Sequence, residues 1–164
     1  ASNMTMFGGE QYTPGQKKVD ETYAGEYYNW RVAGGYADVT KQTAQLSEAM
    51  KILETNPNVT GAAGLLPDTI APFVNPDGTI AKDYVTEVVQ RNLRTVLGAQ
   101  FTEKEGERLI ARAYNPLLST SENAKRVGRI MAMINTMAQA KEAAANYWDE
   151  HGGTLAGFAH FSFR

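Results

Sequence analysis

Between Gly98 and Pro116 the chain reads as a stop, a start and a second stop. A run carrying Val85, Val88, Val89, Leu93, Val96 and Leu97 at helical spacing ends on Gly98, where a glycine closing a helix belongs. Thr102 and Glu105 then have the spacing of a capping box, which opens a new helix. Leu109, Ile110, Ala113 and Tyr114 supply its buried face, and Asn115-Pro116 ends it, because the residue before a proline is driven out of the helical region. Ser119 and Glu122 repeat the capping spacing. The helix that follows carries Val127, Ile130, Met131, Ile134, Met137 and Ala138, runs on to Tyr147-Trp148 and stops at Gly152-Gly153. Links this short make three sequential helices pack as neighbours.

The rest of the chain is placed around that block. Residues 1–18 are polar, glycine-bearing and broken by Pro14, and read as an extended or mobile arm. Residues 19–56 form a helical, aromatic-rich region in which Tyr23, Tyr27 and Trp30 share a stripe and Gly34-Gly35 breaks the element. Asp38 caps a second helix to about Thr55, with Val39, Thr43, Leu46, Met50 and Leu53 at coiled-coil seam spacing, a pattern an ordinary amphipathic helix shares. Residues 57–81 are a Gly/Pro-rich connection, in which Leu65 to Val74 predict one short helical turn burying its Leu, Ile and Phe. Residues 82–153 are the helical core and 154–164 an extended tail, packed on the helices or paired with another chain. The expected fold is all-α, a small bundle of four or five helices. No strand with a hairpin turn is expected. At 164 residues one domain with one core is the prior.

Composition narrows the function classes. With no cysteine there is no disulfide, thiolate zinc site or thiol nucleophile. A formal net charge of -2 excludes bulk attraction to nucleic acid or membrane and leaves room for a local basic patch. No apolar run has the length of a membrane span, and Ala1-Ser-Asn-Met-Thr-Met does not read as a signal peptide.

Catalytic, cofactor-binding and metal residues are all assigned as none. His151 and His160 are the only imidazoles, too few for a nucleophilic triad or a metal motif. Asn75-Pro76-Asp77-Gly78-Thr79 and Asp83 superficially suggest a calcium loop, but the glycine offset is wrong and a Pro-Asp-Gly turn explains them. Glu103, Glu105 and Glu107 cluster in one first turn, where the helix dipole stabilises acids, and Glu150 and His151 lie at a helix end. Met131, Met133 and Met137 read as core fillers. Two surfaces stand out. Tyr23, Tyr27, Tyr28, Trp30, Tyr36, Leu46, Met50 and Leu53 are the candidate protein–protein interface, with packing on the chain's own core accounting for the same pattern. Arg91 and Arg94 with Arg108, Arg112, Lys125, Arg126 and Arg129 spread cations over three helices, and the last five are the candidate phosphate contacts. Acids interleave with them, so i,i+4 pairs such as Glu87–Arg91 and Glu122–Arg126 are the competing account.

From about Lys82 to Phe158 the chain resembles a recurrent helical segment of tailed-bacteriophage virion proteins. The likeness rests on Val89-Gln90-Arg91-Asn92-Leu93-Arg94-Thr95-Val96-Leu97-Gly98, on Gln100-Phe101-Thr102-Glu103-Lys104-Glu105-Gly106-Glu107-Arg108-Leu109-Ile110-Ala111-Arg112-Ala113-Tyr114-Asn115-Pro116, and on Glu122-Asn123-Ala124-Lys125-Arg126. It continues in the closing Tyr147-Trp148-Asp149-Glu150-His151-Gly152-Gly153-Thr154-Leu155-Ala156-Gly157-Phe158. Residues 1–60 and the second glycine of Gly152-Gly153 lie outside the pattern. The resemblance implies a non-enzymatic virion component, an internal or DNA-ejection protein or a head–tail part. Its partners would be other virion proteins and further copies of itself, with no cofactor and no membrane span. Two alternatives stand beside it: a virion-associated peptidoglycan-degrading enzyme using Glu105 or Glu150, and a DNA-contacting helical protein.

Overall fold

The computed structural model describes residues 5–7, 10–55 and 65–158. Five α-helices carry these residues: α1 (Pro14–Val32), α2 (Gly35–Thr55), α3 (Lys82–Leu97), α4 (Glu103–Ala113) and α5 (Thr120–Glu150). The fold class is therefore all-α, a small helical bundle. Two features depart from expectation near the start. Strands β1 (Thr5–Phe7) and β2 (Glu10–Tyr12) pair antiparallel across Gly8-Gly9, with Thr5 opposite Tyr12. A Gly-Gly step between two short extended runs is a hairpin signal, so reading residues 1–18 as an arm missed both the hairpin and the first helical turn. That turn starts early because Thr13 caps it, accepting from the Gln16 amide at 3.1 Å, and Pro14 occupies the first helical position, where a missing N–H costs nothing.

The chain forms two compact units, not one: residues 37–135, and residues 1–36 together with 136–164. In the first, the apolar stripes of all four contributing helices meet. Val39, Leu46 and Leu53 of α2, Val85, Val89 and Leu93 of α3, Ile110 of α4 and Val127 and Ile134 of α5 are all essentially inaccessible. The α2 seam is thus consumed by the unit's own core. Thr43 sits in it without penalty because its hydroxyl bonds the Val39 carbonyl at 3.0 Å and Asn135 Oδ1 at 3.0 Å.

The helix punctuation around α4 matches the sequence. Gly98 closes α3 at φ 57°, its N–H reaching the Arg94 carbonyl. Thr102 Oγ1 accepts from the Glu105 amide at 3.2 Å, while the Glu105 carboxylate meets the Thr102 hydroxyl at 3.4 Å. Asn123 then bridges the stop after α4, its Oδ1 accepting from the Asn115 amide and its Nδ2 donating to the Asn115 carbonyl. Gly106 lets α4 close on its neighbours: a Cβ there would lie 3.0 Å from the Phe101 ring and 3.2 Å from Gln90 of α3. In the connection before α3, Leu66 and Ile70 are buried but Leu65 and Phe73 are exposed, so the expected turn, a 3-10 turn at Ala71–Phe73, hides half of its apolar residues. Phe73 stacks on Tyr84 of α3 at 4.5 Å instead. Tyr114, itself buried, donates its hydroxyl to the Ile80 carbonyl.

In the second unit, α1 lies along the C-terminal part of α5 and the segment after Gly153. Of the α1 side chains, Asp20 and Trp30 are buried. The core here is small-residue and aromatic: Trp30, Ala138, Ala144, Ala145 and Ala156. Gly35, at φ 60°, turns the chain against Trp30, where a Cβ would come within 3.4 Å of the indole nitrogen.

Candidate functional site

The unit built on α1 holds a continuous cluster of polar and aromatic side chains. Tyr23, Tyr27, Trp30 and Arg31 recur along one face of α1 and meet α5 one turn at a time. Trp30 Nε1 donates to Glu142 at 2.9 Å. Arg31 pairs with Glu142 at 3.1 Å and Asp149 at 2.7 Å, and also reaches Asn146. Tyr27 donates to Asp149 at 2.5 Å, and Trp148 packs against both Tyr23 and Tyr27, at 5.0 and 5.9 Å. Lys141 lies 6.0 Å over the Trp30 ring.

The electrostatics follow from these contacts. Burial pushes the Tyr23 phenol up to about 12. Desolvation works against the Arg31 charge, but the hydrogen bonds it makes with Tyr27, Asp149 and Glu142 outweigh it and leave its pKa raised. The Tyr27 hydroxyl, then Arg31, holds Asp149 below its ordinary value. Desolvation lowers Lys141, with Glu26 opposing. Arg31, Glu142 and Asp149 each have hydrogen-bonded partners that fix their place, which is the chemistry of a structural seam.

Below that seam, Asp20 ties the segment after α5 to α1. Buried to 4% exposure, it accepts from Thr154 Oγ1 at 2.5 Å, the Leu155 amide at 2.9 Å and Gln16 Nε2 at 3.0 Å. Tyr147 donates to the Ala156 carbonyl at 2.5 Å from the other side. Thus the described part of the tail, to Phe158, packs on the chain's own helices. Its last residues lie outside the described set, as does His160. His151 stacks on Tyr147 at 3.7 Å and its Nδ1 bonds the Tyr147 carbonyl, so this imidazole serves a helix end.

The candidate interface is split by the structure. Trp30, Leu46, Met50 and Leu53 are buried in the core of their own units and offer nothing to a partner. Tyr23 and Tyr27 are half-covered by Trp148, and Tyr36 is also half-buried. Tyr28 stays 66% exposed, and Val32, one turn along, 68%. Val32 escaped the sequence reading because it falls off the aromatic stripe.

The candidate carboxylates do not converge. Glu103 pairs with Arg94 at 2.9 Å, Glu105 serves the cap, and Glu107 and Glu150 are exposed. Asp77 is a turn residue, its Oδ1 taking the Thr79 amide and hydroxyl, which hold its pKa low. Among the described residues no three of His, Asp and Glu are grouped to hold a metal ion, and no helix is long and apolar enough to cross a membrane.

The cations sort differently. Arg126 pairs with Glu122 at 3.0 Å, as the i,i+4 reading expects, and its Nη1 also donates to the Arg112 carbonyl at 3.3 Å. The expected Glu87–Arg91 pair does not form. Comparison with protein-family models, curated proteins and solved structures finds no match to this chain.

Proposed function

We propose that the chain is a non-enzymatic component of a tailed-bacteriophage particle, an internal or DNA-ejection protein or a head–tail part, that works by assembling with further copies and with other virion proteins. The virion assignment rests on the resemblance of residues 82–158, the span that holds α3, α4 and α5. One observation carries the assembly: α1 buries two side chains and leaves Val19, Tyr28 and Val32 51%, 66% and 68% exposed. A helix with so little of its surface covered has apolar area to give to a partner, and aromatic residues are favoured at such contacts. The loop after α4 adds Leu117, 93% exposed.

Light scattering on the purified chain tests this reading. Wild type is expected to form a defined multimer, and the double variant Tyr28→Ser/Val32→Ser to shift toward monomer without loss of helicity. A wild type that stays monomeric at all concentrations, or a variant with unchanged mass, overturns assembly through α1. Co-sedimentation with phage particles, followed by its loss in the variant, checks the virion assignment.

A further inference from the structure

Six cations line the junction of α4 and α5, and among the described residues five of them make no ion pair. On α4, Lys104, Arg108 and Arg112 are spaced by four residues, a row on its exposed side with about 6 Å of rise between successive members. The opposite side of the helix carries Gly106, Ile110 and Ala113 into the core. On α5, Lys125, Arg126 and Arg129 fall within one 100°-wide face together with Glu122. The hydrogen bond from Arg126 to the Arg112 carbonyl brings the end of the first row to the second.

The acids that interleave with these cations in sequence are occupied elsewhere or outnumbered. Glu103 turns to Arg94, Glu105 to its cap, and Glu122 to Arg126. Among the described residues, Lys104, Arg108, Arg112, Lys125 and Arg129 make no ion pair. Glu122 itself reports the local field: its pKa is lowered by the Arg126 hydrogen bond first and by the charges of Arg126, Lys125 and Arg129.

We infer that this α4–α5 face docks the phosphate backbone of double-stranded DNA. Two features favour a nucleic-acid backbone. The cations form extended rows rather than a single pocket, matching a polymer with regularly repeated charge. Four of the six are arginines, whose planar fork pairs two phosphate oxygens at once. Arginine and lysine pair with guanine edges as well as with phosphates, and a random-sequence duplex isolates the backbone contact proposed here. The exposed large apolar side chains beside the rows, Leu117 and Met133, are isolated from one another rather than an apolar helix face, which argues against a lipid surface.

The test is binding of a fluorescent random-sequence duplex by the full chain, followed by anisotropy across a salt series. With five phosphate contacts, affinity is expected to fall about 500-fold between about 50 and about 200 mM salt, at a log–log slope near -4 to -5. The exposed, unpaired quadruple variant Arg108→Gln/Arg112→Gln/Lys125→Gln/Arg129→Gln should bind at least about tenfold more weakly at low salt and lose about 3 to 4 from that slope. Lys17→Gln/Lys18→Gln, on exposed α1 positions, should leave both unchanged. Circular dichroism establishes that each variant is folded. Absence of duplex binding at low salt, a quadruple variant that binds like wild type, an equal loss in the α1 control, or binding confined to anionic phospholipid vesicles each overturns the inference. Because the variant leaves Tyr28 and Val32 intact, its multimer mass stays that of wild type, which separates this test from that of assembly.

Discussion

Replacing Asp20 by alanine removes the acceptor for two donors 134 and 135 residues away, the buried Thr154 hydroxyl and the half-buried Leu155 amide. An orphaned buried donor costs about 1–3 kcal/mol. Gln16 is half-buried and recovers water when its bond is lost. The Thr154 orphan at about 1–3 kcal/mol and the half-buried Leu155 bond at about 1 kcal/mol therefore cost about 2–4 kcal/mol together, less whatever a water entering the vacated space restores. Asparagine sharpens the test. It keeps Oδ1 for Leu155 and Gln16 but turns an amide toward Thr154, whose oxygen already accepts from the Ala156 amide at 3.0 Å. It also removes a buried carboxylate that has no cation beside it, and so recovers desolvation. Asp20→Asn should accordingly cost about 1 kcal/mol and Asp20→Ala about 3 kcal/mol. Urea denaturation gives the totals. Hydrogen exchange gives the place: the Leu155 and Ala156 amides should exchange far faster in the alanine variant, with α3 amides little changed. An alanine variant within about 0.5 kcal/mol of wild type, the usual scatter of surface substitutions, would falsify the role assigned to Asp20.

Two further outcomes follow from single contacts. Gly106→Ala gains about 1 kcal/mol of helix propensity but forces a methyl to within 3.0 Å of Phe101, so a net loss of about 1 kcal/mol in thermal stability is expected, recovered when Phe101→Leu is added. Asp149 has a depressed pKa in the folded state, so the stability it contributes is full above the ordinary carboxylate value of about 4 and disappears as pH falls through its lowered value. Arg31→Gln should weaken that acid dependence in denaturation curves recorded across the acidic range, and an unchanged profile would count against the seam.

What sequence could show was local. Gly98, the Thr102 cap, the Asn115-Pro116 stop and the Ser119 cap each act within a few residues, and all appear where their chemistry places them. Helix α1 carries an equally local signal in Thr13-Pro14, where a proline that breaks a helix elsewhere sits at the position that starts one. The seam was not legible. Asp20, Glu142 and Asp149 look like solvated helix acids until the fold brings Thr154, Trp30 and Arg31 to them. The aromatic stripe was visible, but its partner, the indole of Trp148, lies about 120 residues on. The cation rows were visible as residue types. Whether acids neutralised them depended on which carboxylates turn away, and that is settled only by rotamers.

The unit containing α1 is closed by residues drawn from opposite stretches of the chain, 1–36 and 136–164. Its first half leaves the ribosome with none of the groups that complete it. Trp30 waits for Glu142 and Asp20 for Leu155, a separation of 135 residues in the latter pair. Compared with a ten-residue loop, that closure costs about 2 kcal/mol more in chain entropy, since each doubling adds about 0.6 kcal/mol. The α3–α5 helices face no such delay. During synthesis the nascent chain therefore presents Tyr23, Tyr27 and Trp30 uncovered, and this unit forms late, when α5 has been made.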